Sequence, residues 1–113
     1  MLPGALVHLG EGVRLLRRKS SFQRKIHRYL RTKTWAARSK RFRTSVGFRC
    51  AGCDLVSVWN HAHHLSYQHA FHGREPDSDL LCLCPDCHRA AHAYARAHPS
   101  LSLRRATALA LRR

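Results

Sequence analysis

The sequence DLLCLCPDCHRAAH, residues 79–92, predicts a short strand, a metal-binding turn and a helix in immediate succession. Leu80 to Leu83 form an apolar run of strand length, and the pair Cys84-x2-Cys87 follows it without a break. The alanine-rich composition from His88 to His98 favours a helix, which Pro99 is expected to end. Because His88 and His92 are four residues apart, their imidazoles would project from one face of that helix.

A second cysteine pair, Cys50-x2-Cys53, precedes this segment. Two C-x2-C pairs supply four soft sulfur ligands for one tetrahedral zinc, and their spacing suits a metal better than disulfides. Such a zinc would contribute on the order of 10–16 kcal/mol, comparable with the net stability of a whole domain. The fifth cysteine, Cys82, lies in the apolar run and is interpreted as a core residue, with replacement of Cys84 as a ligand as the alternative.

The histidines indicate a second metal site. His63 is adjacent to His64, and neighbouring side chains of an extended segment point to opposite sides. The economical assignment makes His63 a ligand together with His88 and His92, and leaves His64 free to accept a proton from water near neutral pH. Imidazoles suit Zn²⁺, Ni²⁺ or Mn²⁺ better than Mg²⁺, which prefers oxygen, but all four ions stay open.

The charge of the chain is concentrated in one segment. The formal net charge is +15, and residues 14–49 hold 14 Lys or Arg and no acidic residue, which leaves 7 basic against 6 acidic residues elsewhere. Such a field attracts a polyanion, most simply nucleic acid, whereas a merely solvated face usually mixes signs. Arg74 and Arg89 flank the histidines, where they either hold a phosphate or are solvated. The candidate nucleic-acid-contacting residues are Arg31, Lys33, Arg38, Lys40, Arg41, Arg43, Arg74 and Arg89.

Outside the cysteine and histidine motifs the pattern is mostly helical. Residues 1–11 are weakly patterned and are expected to be loosely ordered. Helical spacing begins at about Val13, and a second helix around Trp35 could be capped by Thr34 and stopped by Gly47. Residues 101–113 could form a short basic helix. The apolar stripe of the first helix comprises Leu15, Leu16, Phe22, Ile26, Tyr29 and Leu30.

The segment between the first cysteine pair and the double histidine contains Leu55, Val56, Val58 and Trp59, and it is interpreted as β-like. Both Trp35 and Trp59 are predicted to be core residues rather than base-stacking ones. Residues 66–79 contain several turn-forming residues and predict a loop, in which Glu75 could anchor the chain through backbone contacts. With no secretory signal and no membrane-spanning stretch, the sequence is typical of a soluble protein in a reducing compartment.

Taken in order, these motifs resemble the HNH endonuclease family, over roughly residues 29–92. The matching text is Cys50-Ala-Gly-Cys53, Ala62-His63-His64-Leu65-Ser66-Tyr67, Gly73-Arg74-Glu75, and Asp79 through His88 with His92. Upstream, Tyr29-Leu30-Arg31 with Trp35 is similar to the helical lead-in of bacterial and phage members.

The resemblance implies roles for individual residues. His64 matches the general base that activates water, His63, His88 and His92 match ligands of the catalytic ion, and the paired cysteines match the structural zinc of the cysteine-containing branch. Asp79 falls at the family's middle Asn, which braces the loop that carries the base. An ionised Asp accepts hydrogen bonds but cannot donate them as an amide does, so this brace is expected to differ.

The resemblance also implies the organisation and function of the chain. The fold expected is α+β, a small zinc-stapled ββα-metal or treble-clef core with a basic helical N-terminal arm. Residues 1–45 would form the arm, 46–98 the nuclease core and 99–113 a basic helix or tail. The function expected is cleavage of DNA, with RNA also open, in the cytoplasm of a bacterial or phage-infected cell. The alternatives are a catalytically impaired zinc-dependent DNA-binding module and a zinc domain that contacts protein.

Overall fold

The computed structural model describes residues 6–9, 12–15 and 19–112, and its centre is a two-stranded antiparallel sheet followed directly by a helix. The fold is α+β, as predicted. A single 3-10 turn at Asp77–Asp79 precedes the second strand of this sheet. In chain order the elements are β1 (Leu6–Leu9), β2 (Gly12–Leu15), α1 (Ser21–Tyr29), α2 (Lys33–Ser45), β3 (His61–His64), β4 (Leu80–Leu83), α3 (Pro85–Ala97) and α4 (Leu103–Ala110).

The beginning of the chain differs from the prediction. Strands β1 and β2 pair in antiparallel register, so the helix predicted from Val13 is wrong for residues 13–15, whereas the expected loose order of residues 1–11 falls partly outside the described residues. The β-branched Val7 and Val13 favour the extended backbone. Helix α1 instead begins at Ser21, where the side chains of Ser20 and Gln23 form a reciprocal capping box. The predicted stripe residue Leu16 lies outside the described residues.

Helices α1 and α2 follow the sequence pattern more closely. Of the predicted apolar stripe residues within α1, Ile26 and Tyr29 are buried. Thr32, not Thr34, caps α2, because its hydroxyl accepts the backbone N–H of Trp35 at 3.2 Å. The helix ends at Ser45, two residues before Gly47, whose φ of 64° suits glycine. The predicted stop at Gly47 is therefore confirmed.

Strands β3 and β4 separate the two adjacent histidines. The register pairs His63 with Leu81 and His64 with Leu80, so alternate residues face opposite sides of the sheet. The face of the sheet that carries His64 packs against a hydrophobic core that includes Trp35 of α2. The buried members of that core are Tyr29, Trp35, Phe42, Ala70, Leu80 and Cys82.

The opposite face of the sheet packs towards α3 and α4. Here Leu83 is fully buried against Cys50, Cys84 and Ala91. The interpretation of Cys82 as a core residue is confirmed, since it is 2% exposed and lies in the cluster on the other face. The basic helices thus pack on one face of the sheet, and the cysteine pairs and α3 lie on the other.

The predicted strand at residues 55–59 does not form. The only strand-like pairing there among the described residues is a single bridge between Arg49 and Val56. Side chains hold this loop instead, because Asn60 Nδ2 donates to the carbonyls of Phe48 and Leu55, both at 2.8 Å. Trp59 is 80% exposed, so its prediction as a core residue is wrong, whereas the same prediction for Trp35 is confirmed.

Helix α4 lies against α3 and confirms the predicted C-terminal helix. Ser102 caps it by accepting the backbone N–H of Arg105 at 3.1 Å. Its buried residues are Ala106 and Thr107. None of the helices in the described part of the chain has the length and apolar character needed to span a membrane.

Candidate metal centres and the buried histidine

The four paired cysteines converge on one point. Their sulfur atoms all lie within 4.8 Å of one another, and the Cys53 and Cys84 sulfurs are 3.6 Å apart. Ligands on one tetrahedral zinc with Zn–S bonds of about 2.3 Å are separated by about 3.8 Å, so the spacing fits. Cys84 is also the N-cap of α3, and its sulfur accepts the backbone N–H of Cys87 at 3.4 Å.

The surroundings of the sulfurs favour thiolates that a cation holds together. Burial opposes ionisation of Cys50. Hydrogen bonds from backbone N–H groups of the two C-x2-C turns, here called the knuckles, outweigh this effect and lower the pKa of its thiol to about 7. Burial raises the pKa of Cys87, and the neighbouring thiols of Cys84 and Cys50 raise it further. One low and one raised pKa within a cluster is the behaviour of sulfurs that compete for protons, and a structural metal such as zinc would replace those protons.

Gly52 makes the close approach of the two knuckles possible. A Cβ atom at this position would lie 2.7 Å from the Cys87 sulfur and 3.0 Å from a methyl group of Leu111. No side chain fits at the first distance without displacing the Cys87 sulfur. The glycine inside the first C-x2-C pair is therefore part of the sulfur site.

The three predicted histidine ligands also converge. One nitrogen from each of His63, His88 and His92 lies within 4.8 Å of the other two, and the Nε2 atoms of His88 and His92 are 3.1 Å apart. Nitrogens that share a tetrahedral ion at about 2.0–2.1 Å are separated by about 3.3 Å. The helix spacing and the strand alternation both placed these residues correctly.

His63 fits a ligand in a further respect. Its Nε2 lies 2.9 Å from the hydroxyl of Thr107 in α4, and its Nδ1 is buried with no hydrogen-bond partner among the described residues. Histidine ligands commonly donate their second ring N–H to a neighbouring group, which leaves the other nitrogen free to bind the ion. An orphaned buried nitrogen is costly unless something else, such as a cation, satisfies it.

His61, which belongs to none of the sequence motifs, also joins the histidine group. Its Nδ1 lies 2.8 Å from Nδ1 of His88, which leaves Nε2 of His88 to face His92. The sequence signal was the two-residue spacing from His63 on one strand, which puts both on the same face.

The environment keeps the three clustered imidazoles in the neutral form that binds metals. Burial lowers the pKa of His63 to about 3, with the charges of His88 and His92 contributing. Burial likewise lowers the pKa of His88 to about 4, and it lowers that of His92, where Arg96 adds to the effect. Proton competition for these nitrogens is therefore weak near neutral pH.

His64 occupies the other face of β3, inside an aromatic sandwich. Its ring lies between those of Trp35 and Tyr67, with centroids 4.4 and 4.8 Å away. Its Nε2 is 2.6 Å from a carboxylate oxygen of Glu75, and both side chains are buried. Because a carboxylate accepts hydrogen bonds, Nε2 carries the proton and the lone pair of Nδ1 is available as a base.

Glu75 is held from both helices of the basic segment. The Tyr29 hydroxyl lies 3.0 and 2.9 Å from its two carboxylate oxygens, and Arg38 donates to its backbone carbonyl at 2.9 and 2.7 Å. Burial, reinforced by Glu75, raises the pKa of Tyr29 to about 12, so the hydroxyl remains a donor. The sequence predicted only backbone contacts for Glu75 and missed this carboxylate, because its partners are distant along the chain.

Asp79 braces the loop rather than reaching the cavity beside His64. Its carboxylate lies 3.1 Å from His69 Nδ1 and 3.1 Å from a guanidinium nitrogen of Arg104 in α4. Its backbone carbonyl accepts the N–H of Leu65 at 2.7 Å. The loop after the double histidine is thus tied down at the predicted position, but by a carbonyl, a contact with His69 and an ion pair with Arg104 instead of an amide. Arg104 of α4 pairs with the Asp79 carboxylate, a contact between residues far apart in the chain that no sequence pattern predicted.

A cavity of about 560 Å³ opens between α1, the loop that contains Val58 and Trp59, and α3. It is lined by His64 from one face of the sheet and by His61, His88 and His92 from the other, so both sets of imidazoles share one opening. The lining contains Arg43 and no acidic side chain. This arrangement suits an anionic group that approaches the edge of β3.

The basic residues fall into two groups. Arg38 is 8% exposed and its guanidinium is engaged by the Glu75 carbonyl and Asp77, so the structure places it in the fold and not on the surface for phosphate. Arg43 is half-buried and donates to the carbonyls of Val58 and Asn60. Arg89 forms an exposed pair with Asp86. The remaining candidates are exposed: Arg31, Lys33, Lys40, Arg41 and Arg74.

No protein-family model, no curated protein and no solved structure matches this chain.

Proposed function

We propose that this protein is a metal-dependent endonuclease of the HNH type that hydrolyses phosphodiester bonds of DNA. The observation that carries the proposal is the shared cavity, which is lined both by His64, the partner of the buried Glu75, and by His88 and His92 of the histidine cluster. In this proposal the two-stranded sheet, the two C-x2-C turns and α3 form a treble-clef core, which zinc on the four cysteines would stabilise.

The residues divide the chemistry between them. His64 Nδ1 accepts a proton from the attacking water, and Glu75 fixes the tautomer and stabilises the imidazolium that forms. Trp35 and Tyr67 restrict the ring to one orientation. A divalent ion on His63, His88 and His92 would supply positive charge against the charge that grows on the phosphate oxygens.

The charge around the cavity favours a nucleic-acid substrate. The excess of basic residues in the segment 14–49 gives a positive field, and Arg43 brings one guanidinium into the cavity itself. Phosphate contacts of this kind position a strand without reading its sequence. The substrate proposed is therefore a DNA backbone.

Nicking of supercoiled plasmid tests the proposal. The intact protein, loaded with zinc, is incubated with Mg²⁺, Mn²⁺, Ni²⁺ or additional Zn²⁺ in separate reactions. Nicking is expected with at least one ion, with loss in His64→Ala and in His88→Ala. His98→Ala is the matched control, since His98 is exposed and stacks on Tyr94 outside the cavity.

Two results would contradict the proposal in different ways. No nicking with any ion, together with a gel shift of duplex DNA, would identify a zinc-dependent DNA-binding module without catalysis. Nicking that survives His64→Ala would remove the general-base role from His64 alone.

A further inference from the structure

Trp59 stands at the rim of the cavity with its ring largely in solvent. It is 80% exposed, the highest value among the large exposed apolar residues in the described part of the chain. It lines the same cavity as His64 and His88. No aromatic ring among the described residues packs against it. An indole exposed to this degree loses hydrophobic stabilisation unless a partner covers it.

The loop that carries Trp59 is held firmly. The backbone N–H of Trp59 donates to Ser57 Oγ at 3.1 Å, and the neighbouring carbonyls of Val58 and Asn60 accept from Arg43. The Asn60 side chain adds two bonds of 2.8 Å to carbonyls on the far side of the loop. The ring is therefore presented from a fixed backbone beside the cavity.

We infer that Trp59 stacks on an unpaired nucleobase next to the scissile phosphate, so that the cavity prefers unpaired DNA over a continuous duplex. This inference rests on the proposed function for the position of the scissile phosphate. A base offers a flat apolar face that matches the indole, and stacking of this kind tolerates any base.

The charge of the cavity distinguishes a nucleotide from an apolar protein partner. The lining holds Arg43 and five histidines, and no carboxylate. An anionic phosphate attached to the stacked base would meet the Arg43 guanidinium, the neutral imidazoles and no opposing carboxylate, whereas an apolar peptide would leave that guanidinium without a counter-charge. The occupant that matches both the ring and the charge is a nucleotide.

Geometry explains why the nucleotide is unpaired. Inside a duplex both faces of each base are covered by neighbouring base pairs, so an indole reaches a face only where the stack is interrupted. Side chains that insert into a duplex must first unstack it, which costs a few kcal/mol per step. A single strand or a bulge already presents the free face.

The test is a binding measurement in a background that does not cleave. The His64→Ala protein is compared with the same protein carrying Trp59→Ala or Trp59→Phe. Fluorescence anisotropy gives the Kd for a mixed-sequence single strand, the corresponding duplex, and that duplex with an unpaired bulge. Val58→Ala is the matched control, because Val58 is exposed on the same loop and lacks a ring.

We expect Trp59→Ala to weaken single-strand and bulge binding by about tenfold, the size of one lost base–aromatic stack. Trp59→Phe should retain most of the affinity, and duplex binding should change little. The salt dependence of single-strand binding should keep its slope, because no phosphate contact is removed.

Equal losses on single strand and duplex, or no loss on either, would overturn the inference. Failure of the proposed function is seen separately, because it appears as absence of plasmid nicking by the intact protein. Stacking is measured without cleavage, so neither result decides the other.

Discussion

At the scale of single residues, the two adjacent histidines serve opposite faces of one strand. Alternation along β3 sends His63 to the cluster on α3 and His64 to the opposite face, as the sequence predicted, and there His64 lies in the aromatic sandwich. What the sequence could not supply was the partner of His64. Glu75 lies in a loop rich in turn-forming residues. The local sequence around it does not indicate that the Glu75 carboxylate is buried.

Replacing Glu75 with Gln tests its positioning role. The amide keeps the volume but removes the negative charge that stabilises the imidazolium of His64. We expect kcat for plasmid nicking to fall by at least about tenfold, with KM for DNA unchanged. The upper limit of the loss is the roughly 10²–10⁴-fold that the whole general base contributes. Asp54→Asn is the control, because Asp54 is an exposed carboxylate away from the cavity. A rise in KM with kcat intact would instead assign Glu75 to substrate binding.

Gly52→Ala tests the packing of the sulfur site. The added methyl group would lie 2.7 Å from the Cys87 sulfur, so the knuckles must separate and zinc affinity should fall. Competition with a chromophoric chelator measures this affinity. Gly47→Ala is informative beside it, because its φ of 64° is strained but nothing lies within 4 Å of the new Cβ. Equal zinc affinity in both variants would show that crowding at Cys87 is unimportant.

At the scale of elements, prediction succeeded where ligand spacing and hydrophobic pattern agreed. The apolar run of β4, the cysteine knuckle and the alanine-rich α3 were each legible from local sequence. It failed at residues 55–59, where apolar residues suggested a strand. Their backbone groups are satisfied by Asn60 and Arg43, which are contacts that no periodicity encodes. The sequence also did not predict that α1 and α2 pack against His64.

Tyr29→Phe tests whether α1 is part of the site. Loss of the hydroxyl removes a donor to the buried Glu75 carboxylate and the acceptor of the Gly73 N–H, which lies 3.1 Å away. An unsatisfied buried group costs about 1–3 kcal/mol, and the free energy of unfolding in urea should drop by that amount. Tyr94→Phe is the matched control, since its ring stacks on His98 at the surface. A drop of equal size in both variants would contradict the specific role of Tyr29.

At the scale of the whole molecule, the positive charge has two uses. The composition predicted a polyanion partner but could not show that Arg38 would be enclosed between α2 and the loop around Glu75. Because Arg38 is buried, the remaining positive charge of the basic segment lies on the surface of α1 and α2. These are the helices whose Tyr29 and Trp35 pack against His64. The proposed DNA binding and the proposed catalysis would thus depend on the same elements.

The salt dependence of duplex binding separates surface cations from structural ones. Lys40→Gln should reduce the slope of log K against log salt by about 0.9 if Lys40 neutralises one phosphate. Arg38→Gln should leave the slope unchanged but lower thermal stability, because Arg38 is buried and hydrogen-bonded. A change of slope in Arg38→Gln with unaltered stability would reverse this division.

Helix α3 carries ligands of both candidate metal sites within its first turns, with Cys84 as its cap and His88 and His92 following. If the cysteines hold zinc and the histidines hold a second ion, as proposed, one helix presents ligands to both, so occupation of the two sites would be linked. Zinc on the sulfurs would fix the first turn of α3 and with it the spacing of the imidazoles on the following turn. Removal of the structural metal is therefore expected to weaken metal binding at the histidine site as well.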